Sequence, residues 1–267
     1  MITPVSSYAG SLLQDLDSSK KPSNMCSISW QFHPEGYDLF FTRDEQRSRV
    51  SADKPGVHET RHGIRYLAPT DPQGGGTWIL VNAHGLSAAL LNAYELADSV
   101  PQPAAPRSRG QLLRSLAASD TVESFGRNLK DSVARHSYPP CYLMAFGPTG
   151  TVGFWLWNGR KRITQPLPES QFFTTSSVQS AEVRASRSER FARELGPPPL
   201  SPAAMECFHR DEASRLSAFD VRMSRPDARS VSLTRICHRR EASTMHYAPR
   251  EGDGPFAPIE RVTLEEK

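Results

Sequence analysis

The sequence predicts an α+β protein, because strand-like and helix-like segments fall into separate groups along its 267 residues. The groups follow one another as strands, helices, strands, helices and strands, without an internal repeat. This order favours antiparallel sheets with segregated helices over the regular alternation that a parallel sheet requires. Hydrophobic residues make up 37% of the chain, which is enough to bury a sizeable core.

The first group of strands opens with a hairpin at residues 26–42. Residues 26–33 alternate apolar and polar side chains, residues 34–36 form a turn, and residues 37–42 are a second apolar run. The chain then becomes abruptly charged, and we expect a polar loop that extends to about Gly63.

The middle of the chain continues the strands and then supplies the first two helices. Residues 77–81 and 86–91 predict two buried strands, the second of which ends at Asn92. Residues 109–118 predict a short helix, and Asp120 is expected to cap the helix that follows. The remaining strands are predicted at 141–146, 151–157, 171–175, 230–237 and 244–247, and the remaining helices at 181–195 and 203–214.

Composition sets the expected domain boundaries. Residues 1–24 are rich in Ser and lack the apolar centre of a signal peptide, so we interpret them as a disordered or spurious N-terminal extension. We expect one folded domain over residues 25–250 and a flexible tail over residues 251–267. Because no run approaches the roughly 20 apolar residues of a membrane span, we expect a cytoplasmic protein without stable membrane insertion.

Charge and metal-binding residue types exclude several classes of function. The formal net charge of +3 is small and spread over Arg-rich stretches, whereas a nucleic-acid-binding surface needs a denser basic face. His58 and His62 have the spacing of helical metal ligands, but nearby Pro and Gly residues favour a loop and no third ligand stands near. None of the four cysteines is paired at C-x-x-C spacing. We therefore expect no nucleic-acid partner and no metal.

The dipeptide Met25-Cys26, at the start of the first strand, contains the candidate nucleophile. If translation starts at Met25, removal of that Met exposes Cys26 as the first residue. An N-terminal Cys combines a thiol with its own α-amine, whose pKa of about 7.7–8 makes it a base at neutral pH. A positive neighbour such as Arg43 lowers the pKa of the thiol further. This arrangement predicts a nucleophile that needs no histidine partner.

Three motifs in order resemble the NRDE family, which is the family of transport and Golgi organisation protein 2. The first is Met-Cys at 25–26, followed about seventeen residues later by Thr-Arg-Asp-Glu at 42–45, with Thr in place of the family's Asn. The second is Gly-Gly-Thr-Trp at 75–78. The third is a Gly-x-x-x-x-Leu-x-Asn strand at 85–92.

The resemblance implies a four-layer αββα sandwich of the N-terminal-nucleophile hydrolase type, with two antiparallel sheets between helical layers. Enzymes of that fold cleave amide bonds with an N-terminal Cys. By position, Cys26 would be the nucleophile and α-amine base, and Arg43 and Asp44 would hold it. Asn92 would donate to the oxyanion, and residues 174–177 would form a further strand of the site.

Each of these residues also has a plainer interpretation. Cys26 could be a buried strand cysteine, since an internal Cys has no free amine. The charged residues 43–45 could form a salt-bridged, solvated loop, and Asn92 could be a turn residue. The residues whose place in the site stays open are Ser176, Arg225 and the late arginine Arg229.

Two functions follow from the resemblance. The first is a cysteine N-terminal-nucleophile hydrolase that cleaves the C–N bond of a small-molecule amide, an acyl conjugate or a lipid-like ligand, without a cofactor. The second is a non-catalytic carrier of haem, lipid or acyl-CoA that has kept the fold. A haem carrier would need an axial His, Cys or Tyr that faces an apolar pocket.

Overall fold

A computed structural model of the protein describes residues 25–96, 99–100, 106–211, 215–240 and 242–265. The extension predicted for residues 1–24 lies outside these ranges. The strands are β1 (Cys26–His33), β2 (Gly36–Gln46), β3 (Asp53–Glu59), β4 (Arg65–Thr70), β5 (Ile79–Asn82), β6 (Ser87–Asn92), β7 (Cys141–Phe146), β8 (Val152–Trp157), β9 (Arg162–Thr164), β10 (Phe172–Thr175), β11 (Ala228–Arg239), β12 (Ala242–Pro249) and β13 (Glu260–Glu265). The helices are α1 (Arg109–Ser115), α2 (Val122–Arg135), α3 (Ser180–Leu195) and α4 (Pro202–Arg210).

The strands of the described residues form two antiparallel sheets. The first sheet has the order β10-β1-β2-β11-β12-β13, and the second runs from β3 to β9 in chain order. Helices α3 and α4 pack on the outer face of the first sheet, and α1 and α2 pack on the outer face of the second. This arrangement confirms the predicted α+β class and the four-layer sandwich.

The main core lies between the two sheets. Apolar side chains at every second position, such as Ile28 and Trp30 of β1, meet those of the second sheet, such as Val81 and Met144. The alternation that predicts the first hairpin exists because only one face of each strand turns toward this core. We call the core-facing side of each sheet its inner face.

Two smaller cores bind the helices to the outer faces. On the second sheet, Leu112 of α1 and Phe125 of α2 pack with Leu143 of β7. On the first sheet, Phe172 of β10 stacks on Phe191 of α3 with ring centroids 4.6 Å apart. Each helix thus buries one apolar stripe, as an amphipathic helix on a sheet must.

The N-terminus of α2 differs from its prediction by one residue. Thr121 is the N-cap, and its hydroxyl accepts from the amide of Ser124, whose own hydroxyl accepts from the Thr121 amide. Asp120, predicted to be the cap, instead accepts from the Ser124 hydroxyl at 2.6 Å. Since Thr, Ser and Asp all make good caps, local sequence does not select among adjacent candidates.

The strands β3, β4, β9 and β13 were not predicted from the sequence. The loop expected to reach Gly63 contains β3, which pairs with β4 through a register shift between Asp53 and Gly56. β3 is an edge strand, where Pro55 is tolerated because one side of the strand needs no ladder hydrogen bonds. The segment 251–267, predicted to be a flexible tail, includes β13, which pairs with β12 at the sheet edge.

No helix among the described residues is long and apolar enough to cross a membrane. In the same parts of the chain, no cluster of three or more His, Cys, Asp or Glu side chains has an arrangement that could hold a metal ion.

Candidate active site

The first residue of β1 lies beside the charged end of β2. Cys26 stands opposite Arg43 of β2 and opposite Thr175 of β10, while Arg43 in turn stands opposite Ser232 of β11. Residues directly opposite each other in antiparallel strands point to the same face of the sheet. Thr175, Cys26, Arg43 and Ser232 therefore form one row on the inner face, which we call the Cys26 row.

Hydrogen bonds hold the backbone on both sides of Cys26. The Thr174 hydroxyl donates to the Cys26 carbonyl oxygen at 3.0 Å, and the Asp44 amide donates to the Met25 carbonyl oxygen at 2.9 Å. The Met25 side chain is fully buried in a small apolar cluster that includes Val183 of α3. While Met25 is attached, the Cys26 nitrogen is an amide and cannot act as a base.

The environment of the Cys26 thiol favours its protonated form. The residue is only 7% exposed. Burial raises the pKa of the thiol to about 12; the Asp44 carboxylate acts in the same direction, and the Asp44 amide and the Arg43 guanidinium act against it. As an internal residue, Cys26 is therefore a weak nucleophile at neutral pH.

The Arg43 guanidinium is fixed from two sides. Its central carbon lies 3.9 Å from the centre of the Trp78 ring, and one of its nitrogens donates to Glu45 at 2.8 Å. Glu45 also lies 3.5 Å from Arg49, which forms a close ion pair with Asp71 at the start of a turn in the second sheet. This chain of charges connects the two sheets at the end where Cys26 lies.

Neighbouring residues of β2 point away from the Cys26 row. Thr42, which stands where the family pattern has Asn, bonds His209 of α4 at 2.8 Å on the outer face. Asp44 also points outward, where it accepts from the Ser230 hydroxyl at 2.6 Å. Arg43 and Asp44, predicted to hold Cys26 together, therefore lie on opposite faces, with Asp44 on the side of the Met25–Cys26 peptide bond.

The Asp44 carboxyl group is buried beside a buried arginine. Burial raises its pKa to about 7, although Arg187 and the hydrogen bond from Ser230 act in the opposite direction. One Asp44 oxygen, Oδ2, accepts no hydrogen bond from the described residues, and the nearest Arg187 nitrogen is 3.9 Å away from it. This oxygen is available to a further donor on the N-terminal side of Cys26.

Arg187 is the functional candidate that the sequence interpretation missed. It is fully buried, and it donates to the hydroxyls of Ser27 at 3.0 Å and Thr174 at 3.2 Å. Val183, Arg187 and Phe191 share the buried face of α3. An arginine in the apolar stripe of a helix was the available signal, but it is hidden in a segment with many charged residues.

Asn92, the predicted oxyanion donor, lies at the end of β6 in the facing sheet. Its side-chain nitrogen donates to the hydroxyl of Tyr94. Burial raises the pKa of Tyr94, and Cys26 and Glu45 raise it further while Arg109 lowers it. Asn92 itself stands opposite Cys141 of β7, whose side chain lies in the helix-side core, so the register directs the Asn92 side chain toward the outer face of the second sheet and not toward Cys26.

A second set of polar contacts lies on the β10 side of Cys26. The Tyr142 hydroxyl of β7 donates to Glu95 at 2.6 Å, and Arg184 of α3 donates to Glu95 at 3.1 Å. The Arg184 guanidinium also lies 5.2 Å from the Phe173 ring centre. This contact joins the second sheet to α3.

The residues that the sequence left open take different positions. Ser176 bonds within its own turn, to the carbonyl of Val178 at 2.5 Å. Arg225 forms an ion pair with Asp227 at 2.6 Å near the surface. Arg229 stands opposite Glu45 in the register of the sheet, and is thus closer to the Cys26 row than Arg225 is.

The arrangement brings a thiol, a cation and polar groups together at one end of the two sheets. Thr175 Oγ1 and Trp78 Nε1 are buried without a hydrogen-bond partner among the described residues. Both are groups that could contact a bound carbonyl. Without a base beside the Cys26 thiol, however, the site cannot form a thiolate readily.

Comparison with solved structures defines the class of fold. The Caenorhabditis elegans ortholog of N-acylethanolamine-hydrolyzing acid amidase superposes with a TM-score of 0.50 at 12% identity, over 79% of this chain and 92% of that chain. A mutant conjugated bile acid hydrolase from Clostridium perfringens superposes with a TM-score of 0.51 at 13% identity, over 89% and 92%. The chain therefore has the N-terminal-nucleophile hydrolase fold.

The sequence profile of the Transport and Golgi organisation 2 family matches residues 25–184. The chain belongs to this family, as the three motifs predicted. No curated protein sequence matches the chain significantly. The match begins at Met25, which is also where the described structure begins.

Proposed function

We propose that the chain beginning at Cys26 is a cysteine N-terminal-nucleophile hydrolase that cleaves the C–N bond of a small-molecule amide. One observation carries the proposal: Cys26 is the first residue of β1 and lies on the inner face beside Arg43. The nucleophile and its base would then come from the same residue.

The released amine would remove the barrier that burial imposes on the thiol. The α-amine of Cys26 would accept the thiol proton, and the thiolate would attack the acyl carbon of the substrate. The C–N bond would then break, with the leaving amine taking the proton back from the α-ammonium. Water, activated by the same amine, would hydrolyse the thioester and release the acid.

Three neighbouring groups support these steps. The Arg43 guanidinium, fixed over Trp78, would stabilise the thiolate. By the family resemblance, Asn92 would donate its side-chain N–H to the oxyanion, for which the side chain would leave Tyr94 and turn toward the inter-sheet side. The free Oδ2 oxygen of Asp44 would accept a hydrogen bond from the α-ammonium, since the Asp44 amide already bonds the carbonyl just before Cys26.

The expected substrate is an amide with an apolar acyl group. The two structural neighbours are named for hydrolysis of N-acylethanolamines and of conjugated bile acids, both of which carry a large apolar part. Phe173 makes edge-to-face contacts with Tyr142 and Phe154, which are tilted against each other, in the inter-sheet core beside Thr175. We expect such a wall to contact the acyl chain, and we expect the reaction to take place in the cytoplasm.

A pair of chains that differ only at the N-terminus tests the proposal. One chain begins at Cys26 after cleavage of a fusion partner, and the other retains the residues before Cys26. We expect hydrolysis of a panel of N-acyl amides only by the first chain, and loss of that activity in its Cys26→Ala variant. Equal hydrolysis by both chains, or by the Cys26→Ala variant, would contradict the proposal.

A non-catalytic carrier is the second candidate, and the buried Met25 side chain favours it. If Met25 stays attached, Cys26 has a protonated thiol and no free amine, which suits binding better than catalysis. For haem, the fully buried His209 is an unsuitable ligand because Ser29 and Thr42 occupy both ring nitrogens. Saturable binding of haem, a lipid or an acyl-CoA by the uncleaved chain, without turnover by either chain, would support this alternative.

A further inference from the structure

A groove of about 660 Å³ lies on the outer side of the second sheet, away from Cys26. Its walls are α1, α2 and the turn between β3 and β4, and Tyr66 and Tyr138 contribute to its floor. Tyr66 belongs to the helix-side core, whereas Cys26 belongs to the core between the sheets. The second sheet therefore separates this groove from the candidate active site.

Four arginines from four different segments converge on the groove. Glu59 and Asp131 also line it, so positive charges outnumber negative ones. Among the residues that the structure describes, none of the four guanidinium groups has a carboxylate oxygen within 4.0 Å. The four are Arg61 in the β3–β4 turn, Arg107 before α1, Arg114 on α1 and Arg135 at the end of α2.

Several arginines of α3 and α4 have carboxylate partners. Arg190 of α3 lies 2.7 Å from Asp211, and Arg184 lies 3.1 Å from Glu95. Arg210 of α4 lies 3.0 Å from Glu206. The groove arginines thus differ from these arginines of α3 and α4, because they have no carboxylate partner among the described residues.

Neutral groups orient three of the four arginines. Arg114 donates to the Tyr66 hydroxyl at 3.0 Å, and Arg61 donates to a ring nitrogen of His62 at 2.9 Å. Burial raises the pKa of Tyr138, and the Arg107 guanidinium beside it acts in the opposite direction. These contacts direct the side chains without compensating their charge.

We propose that this groove, which we call the arginine groove, binds a small molecule that carries phosphate groups. Bringing four cations together is unfavourable unless a multiply charged anion compensates them. The planar guanidinium fork matches phosphate oxygens in bidentate geometry. The volume of the groove falls within the range of small-molecule sites, roughly 300–1,000 Å³.

Calorimetric titration of the full chain with inorganic tripolyphosphate tests the proposal. We expect saturable binding, and we expect the Arg61→Gln/Arg135→Gln double variant to bind about tenfold more weakly or worse. Neither residue holds elements of the described fold together through an ion pair, so the variant should unfold at an unchanged temperature. Arg193→Gln on α3, a residue whose side chain is 71% exposed, is the matched control and should bind like the unmodified protein.

Two further measurements test where the phosphate compound binds and whether the phosphate belongs to a free small molecule or to a lipid. Cys26→Ala should leave binding unchanged, because the second sheet lies between the two sites. Phosphatidylcholine vesicles that contain phosphatidylinositol bisphosphate should bind no better than tripolyphosphate. The proposal is overturned if tripolyphosphate gives no saturable signal, if the double variant binds as tightly as the control, or if only the vesicles bind.

Discussion

Cys26 and Cys141 have closely similar positions in the two sheets. Each is the first residue of a strand, β1 in the first sheet and β7 in the second. Both are buried, and burial raises the pKa of each thiol to about 12. Neither the burial of the two side chains nor the raised pKa of their thiols distinguishes Cys26 from Cys141.

Their surroundings differ. Cys141 lies in the helix-side core among apolar residues, and Arg109 is the one charged group that influences its pKa. Cys26 lies beside three charged residues of β2, namely Arg43, Asp44 and Glu45. The reactivity of Cys26 therefore depends on its charged neighbours and on whether the chain begins at Cys26. Removal of the preceding residues would leave the surroundings of Cys141 unchanged.

Replacement of each cysteine by alanine should give the largest difference in catalytic activity between the two regions. In the chain that begins at Cys26, we expect Cys26→Ala to lower kcat for an acyl amide at least about 10³-fold, because the nucleophile and its thiolate are lost. Cys141→Ala should keep the activity and lose stability on the order of 1 kcal/mol from the cavity. Steady-state kinetics and urea unfolding measure the two effects, and a Cys141→Ala variant that loses activity without unfolding would reverse the assignment.

Replacement of Asn92 should have the next largest effect. We expect Asn92→Ala to lower kcat about 10²-fold, which is the usual effect of removing one oxyanion donor. KM should change little, because the donor acts mainly on the transition state. Asn128→Ala, on the exposed side of α2, is the control, and an equal loss in both variants would count against a specific role for Asn92.

Alkylation by iodoacetamide compares the thiols without a substrate. At neutral pH, we expect Cys26 to react about tenfold faster or more in the chain that begins there than in the chain that retains Met25. Cys141 should stay unreactive in both chains because its surroundings do not change. Peptide mapping by mass spectrometry measures each rate, and equal rates at Cys26 in the two chains would show that the free amine does not activate the thiol.

Local patterns predicted much of the fold. The hairpin of β1 and β2 and the strand β7 follow from alternation or from continuous apolar runs, both of which reflect burial of the strand itself. Partners distant in sequence could not be predicted: Thr175 and Ser232 join the Cys26 row only through sheet pairing. Similarly, motif spacing identified Arg43 and Asp44 as site residues, but it did not predict that their side chains point to opposite faces of the sheet. That difference arises because β2 continues through both residues to Gln46.

A further expected effect is on the pH dependence of stability, and it concerns the surroundings of Cys26 but not those of Cys141. Because the pKa of Asp44 is raised to about 7, the neutral carboxyl favours folding below the unfolded pKa near 4, and that contribution declines as pH rises toward 7. Relative to Asp44→Asn, the uncleaved protein should therefore lose stability between about pH 4 and 7, by about 4 kcal/mol. Urea unfolding across this range measures the difference, and the difference for Cys141→Ala should stay constant.

Trapping of a covalent intermediate is the most direct test of Cys26 as the nucleophile. The chain that begins at Cys26 is mixed with an N-acyl amide, quenched with acid during turnover, digested and mapped by mass spectrometry. We predict an acyl group on the Cys26 sulfur that hydroxylamine removes, and no such adduct on Cys141 or in the chain that retains Met25. Turnover with the acyl group on another residue, or turnover that survives in Cys26→Ala, would contradict the assignment of Cys26.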